Sequence, residues 1–331
     1  MTSDAQIEGW RSWHDETEPI RLGVSSCLLG EMVRFDGGHQ RDRFVTDVLG
    51  PWVQWVPVCP EVEVGMPTPR PAIHIEEDER GEQLVAPSTG ENFTEVMTAF
   101  SKRRVGELEA EGLDGYVLKK NSPSCGLSRI SVYKNGKRAH RGGVGLFAAS
   151  LIANSPLLPI EEEGRLNDPG LRESFIEQIL CRNRWRLAVK RGLTRKRLID
   201  FHTAHKLILF SHNESASRRL GRLVGEMSKT PDEALFARYE LDFHMCLRSK
   251  MTRKRHTNVL QHAMGHLKQF LDSKAKQEIL TTIEDYRQGF LPLIVPLTLL
   301  KFSINQYSVD YLRGQLYFDP HPKELMLRNH C

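Results

Sequence analysis

Three short apolar runs, at 20–25, 53–58 and 115–118, each break off at turn-forming residues, and a cysteine follows each break. Cys27 lies in Ser25-Ser26-Cys27-Leu28-Leu29-Gly30, Cys59 in Cys59-Pro60-Glu61, and Cys125 in Ser122-Pro123-Ser124-Cys125-Gly126. Apolar runs this short, bounded by turn signals, read as strands covered on both faces. Helical periodicity fills the intervals, first near 42–49 and then over 92–111, where Phe93, Val96, Met97, Phe100, Val105 and Leu108 are spaced for one buried stripe. A helix over 146–153 and a fourth strand over 157–160 continue the alternation. Strand, helix, strand, helix predicts right-handed crossovers and a mainly parallel sheet, so this part of the chain is read as an α/β domain.

In an open parallel sheet the carboxyl ends of neighbouring strands share one edge, where side chains distant in sequence gather around a ligand. Three thiols at that edge suggest a metal site. In an iron–sulfur cluster of four irons, three cysteines would leave one corner uncapped, because each iron normally takes one protein thiolate. The alternative is packing, since free cysteine is among the most buried residue types. Cys181, Cys246 and Cys331 have no partners at ligand spacing and are read as core or terminal thiols.

From Asp168 onward the pattern changes to long helical segments, at 170–189, 194–214, 215–227, 231–248, 255–271, 274–288 and 293–306, and the second domain is expected to be all-α. The expected divisions are a polar leader over 1–19, anchored by Trp10 and Trp13, then the α/β domain over 20–165 and the helical domain over 166–331, with the acidic stretch Glu161-Glu162-Glu163 as hinge. Charge divides along the same line. Residues 1–165 carry 18 Lys and Arg against 25 Asp and Glu, a net of −7, whereas residues 166–331 carry 28 against 17, a net of +11. The helical domain is therefore the one to attract a polyanion, although scattered cations on solvated helices give the same count. Its cations cluster at Arg182, Arg184 and Arg186, at Lys190 and Arg191, at Arg195, Lys196 and Arg197, and at Lys250, Arg253, Lys254 and Arg255. Mixed with Trp185 and Tyr239, they suit single-stranded or folded RNA better than base reading by a recognition helix. No apolar stretch approaches the roughly 20 residues that cross a bilayer, and the acidic start lacks a secretion signal, so a cytoplasmic location without membrane contact is expected.

Beside Cys59, Pro60 sets Glu61 where its carboxylate can turn toward the same sheet edge as a general acid or base, or simply point to solvent. Ser122 and Ser124 can bond a ligand or close a turn, and Lys119 and Lys120 can meet an anion or decorate a strand end. Gly142-Gly143-Val144-Gly145 ahead of a helix is a weak phosphate-cradle signal that close packing explains equally well; without GxxxxGK[ST] or GxGxxG, nucleotide triphosphate binding is not expected. His202, His205, His212, His256, His262 and His266 lack the glutamate of HExxH and read as helix-face residues able to meet phosphate or bases rather than metal.

With these residues in view, the stretch of about 20–160 resembles the thiouracil desulfidase (TudS) family. It carries that family's S-x-C-L-L-G, V-R-F-D-G, C-P-E, P-x-P-R and N-S-P-S-C-G elements. The helical remainder, ending in Tyr317-Phe318-Asp319-Pro320-His321-Pro322 and Leu327-Arg328-Asn329-His330, resembles a domain often fused behind that module, and the pair is similar to the bacterial tRNA 4-thiouridine desulfidases. The resemblance implies a 4Fe-4S cluster on Cys27, Cys59 and Cys125, a catalytic glutamate at Glu61 and a catalytic serine at Ser122. It also places Ser26, Asp36, Arg70, Lys120 and Ser124 among candidate substrate contacts, and it makes tRNA the partner of the helical domain.

The reaction expected on that basis is hydrolytic and non-redox. The sulfur of 4-thiouridine is taken by the unique iron, water activated by Glu61 adds at C4, and uridine and sulfide result. A desulfidase of free thiouracil or thiouridine nucleosides and a non-catalytic iron–sulfur RNA sensor are the alternatives. A thiolase running in reverse would need activation by ATP, for which no P-loop is present.

Overall fold

The structure is a computed structural model and describes residues 9–329. The leader up to residue 8, His330 of the C-terminal motif and Cys331, read above as a terminal thiol, lie outside the described residues. The described residues divide into two compact units, one of residues 19–167 and one of residues 168–329 together with residues 9–18 of the leader. The leader thus belongs with the helical unit, and the division falls at Asp168 rather than at 165.

The first unit holds two sheets. Strands β1 (Ile20–Ser25), β2 (Val53–Val58), β6 (Gly115–Leu118) and β9 (Ile160–Glu162) form a parallel sheet in the order β2-β1-β6-β9. Its two central strands are buried along almost their whole length, as the unbroken apolar runs require. The second sheet was not anticipated. It is built from β3 (His74–Asp78), β4 (Gly81–Ala86), β5 (Glu91–Asn92), β7 (Ile130–Lys134) and β8 (Lys137–Gly143) in the order β5-β4-β3-β7-β8, with β3 and β7 parallel and the other pairs antiparallel. The acidic hairpin near 76–82 is its β3–β4 turn.

Helices α1 (Pro60–Glu63), α2 (Thr94–Ala110) and α3 (Leu146–Asn154) complete the unit. Met97, Phe100, Val105 and Leu108 of α2 pack with Phe147 and Leu151 of α3 against Tyr116 and Leu118 of the parallel sheet. The fourth strand is shifted to Ile160–Glu162, and this removes the expected hinge. Glu162 and Glu163 are buried: Glu162 accepts the Leu127 amide at 2.8 Å, and Glu163 bonds Lys119 Nζ at 2.6 Å and the Lys120 amide at 2.8 Å. These carboxylates hold the Cys125 loop and the end of β6 in place.

The helical unit consists of α4 (Pro169–Lys190), α5 (Arg195–His212), α6 (Glu214–Gly225), α7 (Asp232–Leu247), α8 (Arg253–Leu267), α9 (Ser273–Gln288), α10 (Ile294–Gln306) and α11 (Asp310–Arg313). Side-chain caps mark five of the starts, with Asp168, Thr194, Asn213, Thr252 and Asp272 accepting the amides of Leu171, Arg197, Ala216, Arg255 and Ala275. Its core is aromatic. Trp185 meets Phe201 edge-on at 5.2 Å, Tyr239 stacks on Phe243 at 5.8 Å, and Trp13 of the leader closes on Phe201 and His205.

Candidate functional site

Parallel pairing decides where the cysteines go. Strands β2, β1 and β6 are adjacent and run the same way, so the turns at their carboxyl ends share one edge of the sheet. Cys27 sits in a 3-10 turn directly after β1, Cys59 caps α1 after β2, and Cys125 closes the loop after β6. All three are free thiols lining one cavity of about 390 Å³. Burial raises each thiol: Cys27 to about 11, opposed by the nearby Lys119 charge, Cys59 in the same direction, and Cys125 well above the ordinary value.

No three His, Cys, Asp or Glu side chains among the described residues converge tightly enough for a single metal ion. Thiols spread around one cavity instead suit a polynuclear cluster, whose cysteines bind different irons. The donor set therefore fits a cluster held by Cys27, Cys59 and Cys125. Lys119 and Arg34 beside Cys27, and Arg70 beside Cys59, offset the charge that bound thiolates bring.

Glu61 stands in the first turn of α1, where Pro60 at the helix start fixes its direction. Its Oε1 accepts the Ser124 hydroxyl at 3.0 Å, and its Oε2 accepts Arg70 Nε at 3.0 Å together with Arg70 Nη2. Arg70 gives its other N–H groups to the carbonyls of Val33 and Pro67 and to Thr68 Oγ1. A guanidinium has five N–H donors, and all five are used. This corrects the expectation that Arg70 contacts substrate: although it lines the cavity, it is a clamp on Glu61.

Two other expected contacts move as well. Ser124 is fully buried and reaches only Glu61. Asp36 is exposed, bonded to Arg34 at 3.2 Å and to the Gly38 amide at 3.1 Å, and it is absent from the cavity wall; Arg34 and Phe35, its neighbours in the same motif, line it instead. Ser26, Lys120 and Ser122 do line the cavity. Ser122 Oγ accepts the amides of Ser124 at 3.2 Å and Cys125 at 3.0 Å, which leaves its own proton to give. Gln40 and Asn121 also line the wall and carried no chemical pattern by which the sequence would single them out.

The glycines before α3 serve packing. A Cβ on Gly145 would stand 2.5 Å from the carbonyl of Ser124 and 2.8 Å from the Cys125 amide nitrogen, so the helix start presses directly on the loop that carries those residues. Gly142 and Gly143 end β8 and form no phosphate cradle at a helix start.

In the helical unit the candidate RNA contacts separate. Arg184 is buried and donates to the Pro320 carbonyl, and Trp185 and Tyr239 are core residues, so none of the three faces a ligand. Arg186 and Lys190 pair with Glu18, and Arg191 pairs with Asp15 at 2.6 Å, so acids of the leader answer this basic cluster. Arg195 pairs with Asp232 at 2.7 Å, and Arg197 holds the carbonyls of Arg191 and Gly192. Arg182 is half-buried, and Arg253 lies over the Tyr286 ring. The side chains of Lys196, Lys250 and Lys254 are exposed and make no ion pair among the described residues. Lys250, Lys254 and Arg255 line an open basin at the capped starts of α6 and α8. Of the histidines, His202, His205, His212 and His256 are buried, bonded respectively to Tyr239, the Phe201 carbonyl, Glu177 and Tyr317.

Comparison with known proteins gives this cavity a family. Residues 22–163 match the family described as 2-thiouracil desulfurase, and residues 206–322 match the one described as protein of unknown function (DUF1722). YbgA of Escherichia coli (strain K12) is 32% identical over 139 residues, covering 42% of this chain and 82% of YbgA. YbbK of Bacillus subtilis (strain 168) is 29% identical over 151 residues, covering 44% of this chain and 97% of YbbK. Among solved structures, the [4Fe-4S]-dependent thiouracil desulfidase TudS is 32% identical over 46% of this chain and 97% of its own, with a TM-score of 0.38. On these grounds the chain belongs to the 2-thiouracil desulfurase family, with a DUF1722 region following the family domain.

Proposed function

We propose that this chain is an iron–sulfur-dependent desulfidase that replaces the sulfur of a thiolated pyrimidine by oxygen, and that its substrate is 4-thiouridine in tRNA. The observation that carries the desulfidase reading is the cavity itself: three strand-end cysteines open onto the same space as a clamped carboxylate. When bound, a 4Fe-4S cluster on Cys27, Cys59 and Cys125 would supply one iron without a protein thiolate, a Lewis acid for the substrate's sulfur.

The chain's own groups do the rest. Glu61, fixed by Arg70 and Ser124, accepts a proton from the attacking water. The carbon gains oxygen from that water and loses sulfur as sulfide, with no net transfer of electrons. Ser122, whose oxygen already accepts two amides, donates a hydrogen bond from its hydroxyl to the pyrimidine and orients the ring. Val33, Phe35 and Ile73 on the cavity wall keep bulk water from the reacting carbon.

The net charge of +11 on residues 166–331 supports RNA as the carrier of the base, as do the unpaired cations of the basin between α6 and α8. A base held within folded tRNA must be exposed before it meets the cavity, and the helical unit would hold the RNA during that step. The similarity to a thiouracil desulfidase favours a second reading in which the free base is the substrate. Anaerobic reconstitution with iron and sulfide counted per chain, followed by rates on thiolated tRNA and on free 2-thiouracil, tests both. Loss of thiouridine absorbance from tRNA is expected; turnover of the free base alone would transfer the function to the second reading, and full activity with zinc and no iron would end the desulfidase mechanism.

A further inference from the structure

The first unit carries a net negative charge, yet one of its hairpins is strongly basic. Strands β7 and β8 bring Lys134, Lys137, Arg138, His140 and Arg141 together, and β8 is the outermost strand of its sheet. All five side chains are exposed. Lys134 pairs with Glu77, while Lys137, Arg138 and Arg141 make no ion pair among the described residues.

Register places the arginines on one face. Arg138 pairs across the ladder with Tyr133, and Arg141 with Ser131. Residues two apart on β7 point the same way, so the partners opposite them do too. The arginines are three positions apart because the ladder is irregular between Val132 and Tyr133, where β8 contributes an extra residue; such bulges re-aim side chains. The opposite face carries Ile130 and Val132 into a small buried cluster with Ile75. On the arginine face, Tyr133 stacks on His74 at 4.3 Å with the rings nearly parallel. Of the acids that β3 places on that face, Glu76 has both oxygens engaged, one by His74 Nε2 at 2.9 Å and one by the Gly136 amide at 3.0 Å, and Asp78 pairs with Arg80 at 2.7 Å.

The strand that carries His74 starts from the cavity wall. Ile73 lines the cavity, and His74 is the next residue. At the other end β8 runs through Gly143 into Gly145, whose amide bonds the Gly126 carbonyl at 2.8 Å against the Ser122–Cys125 loop.

We infer that the β7–β8 hairpin is a nucleic-acid contact of the catalytic unit itself, Arg138 and Arg141 taking backbone phosphates and the Tyr133–His74 pair offering a stacking surface to a neighbouring base, which rests on RNA being the molecule that carries the thiolated base. Charged residues also guard an edge strand against pairing with another sheet. That role does not require an aromatic pair on the same face.

The test is the full-length reconstituted protein with the exposed arginines replaced together, R138S/R141S, measured on thiolated tRNA and on free 4-thiouridine. The expected result is an unchanged rate on the nucleoside, a KM for tRNA raised on the order of ten-fold, and a slope of log affinity against log salt reduced by about two. R138K/R141K, which keeps the charges, should recover most of the tRNA affinity. Equal losses on both substrates, or tRNA kinetics and salt slope like those of the wild type, would overturn the inference. A change in oligomeric state with tRNA kinetics intact would overturn it in favour of an edge that pairs with a second copy. If the wild-type protein consumes the nucleoside but neither binds nor desulfurates tRNA, the RNA reading itself fails and takes the hairpin assignment with it; that outcome is separable, because in the other cases wild-type turnover of tRNA is normal.

Discussion

The Ser124 hydroxyl donates to Glu61 Oε1 across 3.0 Å, while the opposite oxygen of the same carboxylate is held by Arg70. A carboxylate gripped from both ends has one orientation, and under the proposed mechanism that orientation would set the direction from which water reaches the substrate carbon. Arg70 and Glu61 are both largely buried, so removing the guanidinium strands an anion. Arg70→Ala should lower stability by about 3 kcal/mol, the cost of breaking a buried pair, and should reduce turnover strongly. Ser124→Ala removes one hydrogen bond and should cost about 1 kcal/mol, with a smaller loss of rate. Denaturant unfolding and turnover of thiolated tRNA measured on both variants check the order; a Ser124→Ala enzyme slower than Arg70→Ala would reverse the assigned roles.

Gly145 offers a change remote from the reacting groups. Any side chain there meets the backbone of Ser124 and Cys125 rather than a movable side-chain end, so the loop must give way. Gly145→Ala should displace Cys125 and lower the iron retained per chain after anaerobic reconstitution, with the visible absorbance falling in proportion. A variant that keeps full iron and full rate would show that the loop yields without disturbing the thiol.

What could be read in the sequence, and what could not, divides by the range of the interactions involved. The buried parallel strands were legible because β1, β2 and β6 are short apolar runs closed by turn residues, and the helices because their buried stripes repeat locally. The β7–β8 hairpin was not, because Lys137 to Arg141 is almost entirely polar and an exposed edge strand has no apolar alternation to betray it. Arg70 looked like a ligand-binding cation because its true partners, Glu61 and the Val33 carbonyl, reach it through loops. Arg184 and Trp185 looked like a surface cluster, yet α4 is buried on most of its circumference, and the carbonyl that receives Arg184 belongs to Pro320, 136 residues away. Charge summed over a stretch says nothing about which of its cations are already spent.

Several buried histidines make the helical unit acid-sensitive. Burial is the first cause in each case, holding His202 and His321 down to about 4 and His244 and His256 down to about 3, with neighbouring positive charges adding to it. Unfolded histidine binds its proton near pH 6.5, so these four favour the folded state fully above that value and lose their contribution as pH falls toward 4 and below. Each should remove about 1.4 kcal/mol per pH unit in that window. Glu177, which burial would raise but His212 and Arg328 bring down to about 2, adds a further loss only below about pH 4.5. The unfolding temperature of the full-length protein at pH 7.5 and at pH 5.5, followed by helical circular dichroism, should differ markedly, and His244→Gln should flatten the dependence by one proton. An unchanged melting temperature across this range would mean that these rings are hydrated or already charged in the folded state.

Arg328 closes the helical unit from its far end. Its guanidinium lies 3.3 Å from Glu173 and 3.5 Å from Glu177 on α4, donates to the Tyr317 carbonyl and covers the Tyr317 ring at 4.8 Å. Both glutamates are buried almost completely, and Glu177 also holds His212 Nε2 at 2.9 Å. The cation thus faces two carboxylates that have left water, and its removal takes a positive charge from beside both. Arg328→Ala should therefore destabilise the helical unit by about 3 kcal/mol, a fall of roughly 6–12 °C in Tm for a unit of this size. Arg328→Met, which restores volume without charge, should recover little of that loss, whereas Arg328→Ala combined with Glu173→Gln should recover part of it by removing one of the two facing negative charges. Thermal melts of the three variants decide the matter: equal recovery by methionine and by the double variant would show that Arg328 acts through packing and that the two carboxylates do not depend on its charge.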